Sequence, residues 1–163
     1  MAALNGHKTA LEHFIPALET SEFDINMPDN IGETPLHLAA KNNHYKIVKL
    51  LINQTNNEIN PADNHGITPV HIAASNGHWY ALEPLISALE ENDIEVNPGD
   101  ENMETPMHFA AKNGHYYIFE LLISKTKLSK NPSDNNGITP LLLAVQNGHT
   151  SISNLIAEMN REY

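Results

Sequence analysis

Short amphipathic stretches occur in pairs along the chain. In the clearest pair, the apolar residues of 36–40 recur at the three- and four-residue spacing of one helix face, and residues 45–54 repeat that spacing. Thr34 before Pro35 is typical of a helix N-cap followed by the first helical residue. We therefore predict a short helix from Pro35 and a second helix over roughly 45–54, with a left-handed turn residue in 42–44 between them.

The same pair of stretches occurs three more times. Each predicted first helix begins at a Thr-Pro step, and each predicted second helix follows an Asn-Gly-His turn. The predicted pairs cover Pro69–Asn76 with 79–90, Pro106–Asn113 with Tyr116–Lys125, and 140–147 with Thr150–Met159. The pattern predicts helices throughout, although Asn-Gly pairs taken alone would favour β-hairpins.

The pairs belong to a sequence repeat. Four similar segments begin at Asp29, Asp63, Asp100 and Asp134, which are 34, 37 and 34 residues apart, and the first of them reads DNIGETPLHLAA. Similarities between alternate segments add a second period of 71 residues, as expected if a block of two repeats was duplicated. Self-similarity at this period indicates stacked supersecondary units.

The motif Thr-Pro-Leu-His-x-Ala-Ala in a repeat of this length resembles the ankyrin repeat family, from about residue 2 to the end of the chain. The resemblance implies an all-α ankyrin repeat solenoid, in which each repeat has two antiparallel helices and a projecting β-turn finger. We divide this single repeat domain, 1–163, into an incomplete repeat at 1–28 and four further repeats at 29–62, 63–99, 100–133 and 134–163.

The two ends of the repeat array differ. The chain begins inside a repeat, so we expect either a segment of a longer array or a frayed first repeat. At the other end, Ser151 and Ser153 stand where the preceding repeat has aromatic residues, and Asn154 and Glu158 continue a polar face. This polarity predicts a C-terminal cap.

Three residues depart from the repeat pattern. Met103 stands where the other fingers have glycine, so this finger is expected to change its turn or to carry strain. Pro84 lies inside a predicted second helix and is expected to bend it or to limit it to its first turns. Leu142 replaces the histidine of the motif, so the last repeat should lack one Thr–His hydrogen bond.

Composition excludes several functional classes. The chain has 9 basic and 20 acidic residues, a formal charge of −11, and no cysteine. A shortage of basic residues disfavours nucleic acid and anionic membranes as partners, and the lack of cysteine removes disulfides and thiol chemistry. No secretion signal or membrane span is visible, so we expect a cytoplasmic location.

Ten histidines raise the question of a metal site. Eight of them occupy equivalent positions in successive repeats, where helix spacing of about 8–10 Å keeps them too far apart to share a zinc ion. We therefore interpret them as structural and expect no metal or cofactor. No phosphate loop or hydrolase motif occurs, so we expect no enzymatic activity.

Two further clusters have a structural and a functional interpretation. Seven carboxylates lie between Glu90 and Glu104, either as a solvated loop or as a patch for a basic partner segment. Aromatic residues recur at the start of the second helices, where we expect a partly buried ridge. Tyr80 and Tyr117 remain candidate interface anchors.

The resemblance implies a protein-binding module whose concave face, built from finger tips and first helices, holds a partner protein. We predict a monomer that binds another protein with a basic segment. The predicted partner-binding residues are Asn30, Ile31, Glu33, Lys41, Asn42, Asn64, His65, Ile67, Ser75, Asn76, Glu101, Asn102, Glu104, Lys112, Asn113, Asn135, Asn136, Ile138, Gln146 and Asn147.

Two alternatives stay open. The chain could be a spacer within a longer array, because its finger tips resemble one another. It could also be a substrate of an asparaginyl hydroxylase, because ankyrin repeats of this type are hydroxylated on an asparagine after an acidic and an aliphatic residue. Asn26, Asn60 and Asn97 fit that pattern.

Overall fold

The computed structural model describes residues 26–54 and 58–159, and in these ranges the secondary structure consists of eight helices and no strands. Short and longer helices alternate along the chain. They are α1 (Pro35–Lys41), α2 (Tyr45–Gln54), α3 (Pro69–Asn76), α4 (Trp79–Glu91), α5 (Pro106–Asn113), α6 (Tyr116–Lys125), α7 (Pro140–Gln146) and α8 (Thr150–Met159).

The helices stack in two rows. The first helices α1, α3, α5 and α7 pack on one another, the second helices form the other row, and each first helix contacts its own second helix. Buried alanines such as Ala39 and Ala74 let the first helices approach closely, while Leu51, Leu85 and Leu122 fill the space between the rows. The fold is therefore an all-α repeat solenoid, as predicted.

Local sequence sets the ends of the first helices. A Thr N-cap in extended conformation precedes a Pro at the start of each of them, as at Thr68 before α3. Gly77 and Gly114 end α3 and α5 with a left-handed residue, and Asn43 takes that conformation after α1, with φ 55°. The predicted helix bounds are confirmed, except that α4 is one residue longer and α7 one residue shorter.

Each finger is a tight turn that an aspartate organises. In the third repeat, the Oδ1 atom of Asp63 accepts hydrogen bonds from the backbone N–H groups of His65 and Ile67, at 2.8 and 2.9 Å. The Gly66 N–H donates to the Asp63 carbonyl. The fourth finger makes the same turn with Met103 at φ 61°, so it carries the strain that the sequence predicted and does not change its turn.

Pro84 does not shorten its helix, so that part of the prediction is wrong. Helix α4 continues to Glu91, seven residues beyond the proline. A proline inside a helix costs about 3 kcal/mol. Leu85 and Leu89 are fully buried after it, and each such side chain contributes about 1.5–3 kcal/mol, so their burial offsets the lost backbone hydrogen bond.

The last repeat is only partly capped. Ser151, Asn154 and Glu158 on α8 are exposed as predicted. On α7, however, Leu142 and Val145 are also exposed, although the preceding repeat buries the equivalent positions against its neighbour. The polar cap predicted from α8 therefore does not extend to the first helix of this repeat. Thr139 also has no histidine partner, because Leu142 stands at that position, and its Oγ1 atom accepts from the Leu142 N–H.

The incomplete repeat predicted at 1–28 lies almost entirely outside the described residues, as do His7 and His13. None of the helices within the described ranges is long and apolar enough to cross a lipid bilayer.

Candidate partner-binding surface

Backbone hydrogen bonds join the four fingers into one row. The Asn64 N–H donates to the Ile31 carbonyl, the Glu101 N–H to the His65 carbonyl and the Asn135 N–H to the Asn102 carbonyl, at 2.9–3.1 Å. These bonds fix the spacing of successive tips. Together with the exposed sides of the first helices, the row forms a continuous surface that we call the finger face.

The predicted binding residues all lie on the finger face, but they are not equally exposed to solvent. Six are half-buried: Glu33, Asn42, Ile67, Ser75, Glu104 and Ile138. The other fourteen are exposed, including the tip residues Ile31, His65, Asn102 and Asn136.

Several of the asparagines already donate hydrogen bonds within the chain. Asn42, Asn76 and Asn147 each donate from Nδ2 to the carbonyl four residues earlier, at 2.8 Å. Asn64 and Asn135 donate to carbonyls of the preceding finger. The NH2 groups of these asparagines therefore already donate hydrogen bonds within the chain. The side-chain amide oxygens of the same asparagines remain available to accept hydrogen bonds from a partner.

The finger face alternates in chemistry from repeat to repeat. In the second repeat, Glu33 lies 3.3 Å from Lys41 and forms an ion pair between finger and first helix. The equivalent residues 71 positions later are again Glu104 and Lys112, whereas the third and fifth repeats have isoleucine with serine or glutamine. The 71-residue period of the sequence therefore predicts this alternation of the finger face.

Two imidazole–carbonyl hydrogen bonds of opposite direction cross every described repeat interface. Between the third and fourth repeats, the Nε2 atom of His71 lies 3.1 Å from the Glu104 carbonyl, and the Nε2 atom of His115 lies 3.0 Å from the Ser75 carbonyl. His37 with His78, and His108 with His149, make the equivalent bonds at the neighbouring interfaces. These histidines are structural, as predicted.

The buried imidazoles are neutral. The backbone N–H of Thr68 donates to Nδ1 of His71, so Nδ1 carries no proton and Nε2 is the donor to the next repeat. Burial lowers the pKa of His71 to about 4 and lowers the pKa of His37 and His108 as well. Among the described residues, no group of three or more histidines and carboxylates is arranged to hold a metal ion.

Part of the acidic run is neutralised by the following repeat. Glu90 lies 3.0 Å from Lys125, and Asp93 forms an ion pair with Lys127 that lowers the pKa of its carboxyl. Glu95 accepts from the Thr126 hydroxyl at 2.8 Å. Glu90 and Asp93 are exposed, as the interpretation as a solvated loop predicts, but their ion pairs with Lys125 and Lys127 weaken the alternative interpretation as an acidic patch for these residues.

Glu101, within the turn, and Glu104, at its end, are the two carboxylates of the run that lie on the finger face and whose side chains do not hold the turn. The carboxylate of Glu101 is 3.4 Å from Nδ1 of His65 on the neighbouring tip, and both side chains are more than half exposed. Asp100, by contrast, holds its own turn, as it accepts the N–H groups of Asn102 and Glu104 at 2.8 Å.

The aromatic residues at the start of the second helices divide into two sets. In the first set, Tyr116 is partly buried, as predicted for a ridge, whereas Tyr45 and Trp79 are exposed, at 42% and 40%. Tyr80 and Tyr117, one residue later, are 69% and 72% exposed and point away from the core. The ridge lies at the turns between the two helices of each repeat and shares no residue with the finger face.

The asparagines of the hydroxylation pattern have structural contacts. The Oδ1 atom of Asn97 accepts from the Met107 N–H at 3.0 Å, and the side chain is 2% exposed. The Oδ1 atom of Asn60 accepts from the Val70 N–H in the same way. An oxygenase would therefore need local opening of the repeat to reach the side chain of Asn97.

Comparison with known proteins agrees with this architecture. The family described as ankyrin repeats (3 copies) matches residues 1–98 and 81–163, which together span the whole chain. No curated protein sequence matches the chain significantly. Ankyrin repeats are in general non-catalytic modules for protein–protein interaction. The family match, the stacked helix pairs and the row of fingers lead to one conclusion: this chain belongs to the ankyrin repeat family.

Proposed function

We propose that the chain binds a segment of a partner protein along the finger face. The observation that carries this proposal is the row of tips, which backbone hydrogen bonds hold at fixed spacing while the tip side chains remain exposed. A surface that is ordered before binding loses little conformational entropy on association. Four successive tips offer an apolar, an imidazole and two amide groups to one extended ligand.

We propose further that the partner carries basic residues opposite the fourth finger. Glu101 is exposed, and Glu104 lies in the same finger beside the row. Only Lys41 and Lys112 supply positive charge to the predicted binding residues, and Lys41 is already paired with Glu33. The field at this end of the face is therefore negative, which favours rapid encounter with a basic segment.

The experiment is affinity capture from cell extract, followed by surface-plasmon kinetics with the partner that is identified. Glu101→Lys with Glu104→Lys should slow association, because exposed charges act on encounter over a screening length of about 8 Å at physiological salt. Asn64→Ala with His65→Ala should instead speed dissociation, since these side chains act at short range.

A matched control makes the same change in net charge on another face of the molecule. Glu83→Lys with Glu91→Lys places the same charges on exposed positions of α4, and this variant should bind like the parent chain. If the control slows association as much as the finger variant does, net charge and not the finger face is responsible. If no partner depends on the finger residues, the chain is better explained as a spacer.

A further inference from the structure

Two grooves lie on either side of one exposed tyrosine, away from the finger face. The first has a volume of about 440 Å³ and lies between Trp79 and Tyr117, with Tyr116 in its wall. The second has a volume of about 380 Å³ and lies between Tyr117 and Glu158. We call the two grooves with their shared wall the aromatic edge.

The aromatic edge is rich in flat side chains with unused donors. Trp79 is 40% exposed and Tyr117 is 72% exposed. Neither the Trp79 indole N–H nor the Tyr117 hydroxyl has a hydrogen-bond partner within the described part of the chain. The Tyr116 ring packs edge-on against Tyr117, with centroids 5.4 Å apart, and its hydroxyl donates to Glu120. The Tyr117 ring, which separates the two grooves, therefore packs against a Tyr116 side chain that is itself held by a hydrogen bond.

The charge at this edge is negative. Glu158 lines the second groove, and Glu120 stands beside Tyr116, whose pKa is raised first by its hydrogen bond to Glu120. No lysine or arginine in the described ranges lines either groove, and the single imidazole there, His115, is engaged with the Ser75 carbonyl. A ligand of complementary charge would be basic.

The spacing expected for grooves between stacked helices matches the repeat of a polyproline II helix. Neighbouring helices in a stack lie about 8–10 Å apart. A polyproline II helix rises about 3.1 Å per residue with three residues per turn, so it repeats about every 9 Å. Successive turns of such a helix would therefore meet successive grooves. Its backbone has no internal hydrogen bonds, so its carbonyls are free to accept from Trp79 and Tyr117.

We propose that the aromatic edge binds a basic, proline-rich segment of another protein in the polyproline II conformation. Pyrrolidine rings stack in the two grooves against Trp79 and Tyr117, and a lysine or arginine beside the prolines pairs with Glu158. This site is independent of the finger face, so the two surfaces could hold two segments at once.

The test uses fluorescence of Trp79, which is the only tryptophan of the chain. The full chain is titrated with a nonaproline peptide that ends in two arginines. The comparison peptide has the same two arginines after alternating glycine and serine, which keeps the charge and removes the polyproline II helix. We expect a saturable change in emission with the proline peptide, and at least tenfold weaker binding of the glycine–serine peptide.

Two tyrosines provide a matched pair of variants. Tyr117→Ala should weaken binding at least tenfold. Tyr80→Ala removes a tyrosine at the equivalent helix position with nearly the same exposure, but Tyr80 lines neither groove, so binding should change less than twofold. Glu158→Lys should weaken binding several-fold and reduce its salt dependence, which identifies the charged contact without removing an aromatic ring.

Three results would overturn the proposal. The first is that the proline peptide gives no saturable change in emission, and the second is that both peptides bind equally. The third is that Tyr80→Ala and Tyr117→Ala lose the same affinity while their helix content is unchanged. Glu101→Lys with Glu104→Lys should leave this titration unaffected, so failure at the aromatic edge is distinguishable from failure at the finger face.

Discussion

The imidazole of His71 donates from Nε2 to the backbone carbonyl of Glu104, 33 residues later in the chain and in the next repeat. The same ring accepts the Thr68 N–H at Nδ1, at 3.1 Å, and is 1% exposed. A second proton would turn Nδ1 from an acceptor into a donor facing that N–H group. The Thr68 bond therefore depends on the neutral ring, whereas Nε2 can donate to the Glu104 carbonyl in either protonation state.

The free energy of unfolding should fall as the pH drops from about 6.5 to about 4. The unfolded chain binds a proton at each exposed histidine near the ordinary pKa of about 6.5, whereas folded His71 resists protonation until its pKa of about 4. The stabilisation is thus complete above pH 6.5 and is lost below it, with His71 alone contributing of order 3 kcal/mol at about 1.4 kcal/mol per pKa unit.

Urea unfolding at several pH values measures this dependence. His71→Leu copies the residue that the last repeat already has at this position, and the variant should have a shallower pH dependence than the parent chain. An equal slope in the parent and in His71→Leu would contradict the assignment.

A second prediction compares two glycines with nearly the same backbone. Gly66 has φ 81° and Gly137 has φ 75°, so alanine at either site carries similar left-handed strain. A Cβ atom at Gly66 would lie 2.9 Å from the Glu101 backbone nitrogen, whereas no atom of the described residues lies within 4 Å of one at Gly137. Gly66→Ala should therefore lower the free energy of unfolding by at least about 1 kcal/mol more than Gly137→Ala.

Denaturant unfolding of the two variants isolates the contact between fingers, because the strain cancels in the difference. Equal losses would show that neighbouring fingers can move apart at little cost, and that the row is less rigid than its hydrogen bonds indicate.

Met103→Gly should leave the fold unchanged and raise its free energy of unfolding by up to about 1 kcal/mol. The side chain holds a left-handed conformation at φ 61° and is 52% exposed, so glycine relieves strain and gives up little packing. Met103→Ala keeps the strain and should not be stabilised. Thermal unfolding distinguishes the three proteins, and a clear loss in Met103→Gly would mean that the methionine side chain supports the finger.

Hydrogen exchange should be graded along the stack. Helices α3 and α5 contact a neighbouring first helix on both sides, whereas α7 contacts one only on its α5 side in the described part of the chain. Stability in a stacked array depends on neighbours, so amides of α3 and α5 should exchange more slowly than those of α7 and α8. Uniform exchange rates across the four helices would contradict this gradient.

Local chemistry made most of the fold predictable. A Thr-Pro step begins each first helix. A residue with positive φ follows the end of three of these helices: Asn43 after α1, Gly77 after α3 and Gly114 after α5. These signals act over a few residues and are visible in the sequence. The length of α4 was not predictable in the same way, because the burial of Leu85 and Leu89 against neighbouring helices overrides the local cost of Pro84.

The candidate sites were less predictable than the fold. The family resemblance identified the finger asparagines, but only the structure reveals that Asn64 donates to the preceding finger. The neutralisation of Asp93 by Lys127 joins residues 34 positions apart and depends on how repeats stack. Tyr80 and Tyr117 are alike in sequence context, and only packing places Tyr117 between two grooves.

The paired imidazole–carbonyl hydrogen bonds affect how the repeats would unfold under a mechanical force. His71 reaches forward to the fourth repeat, and His115 reaches back from it to the third. A pull that peels one repeat away must break both bonds together and leave two carbonyls and two rings to be rehydrated. Because every described interface carries the same pair, extension should proceed in discrete steps of one repeat, and a stretched chain should re-form by adding repeats to whatever part remains folded.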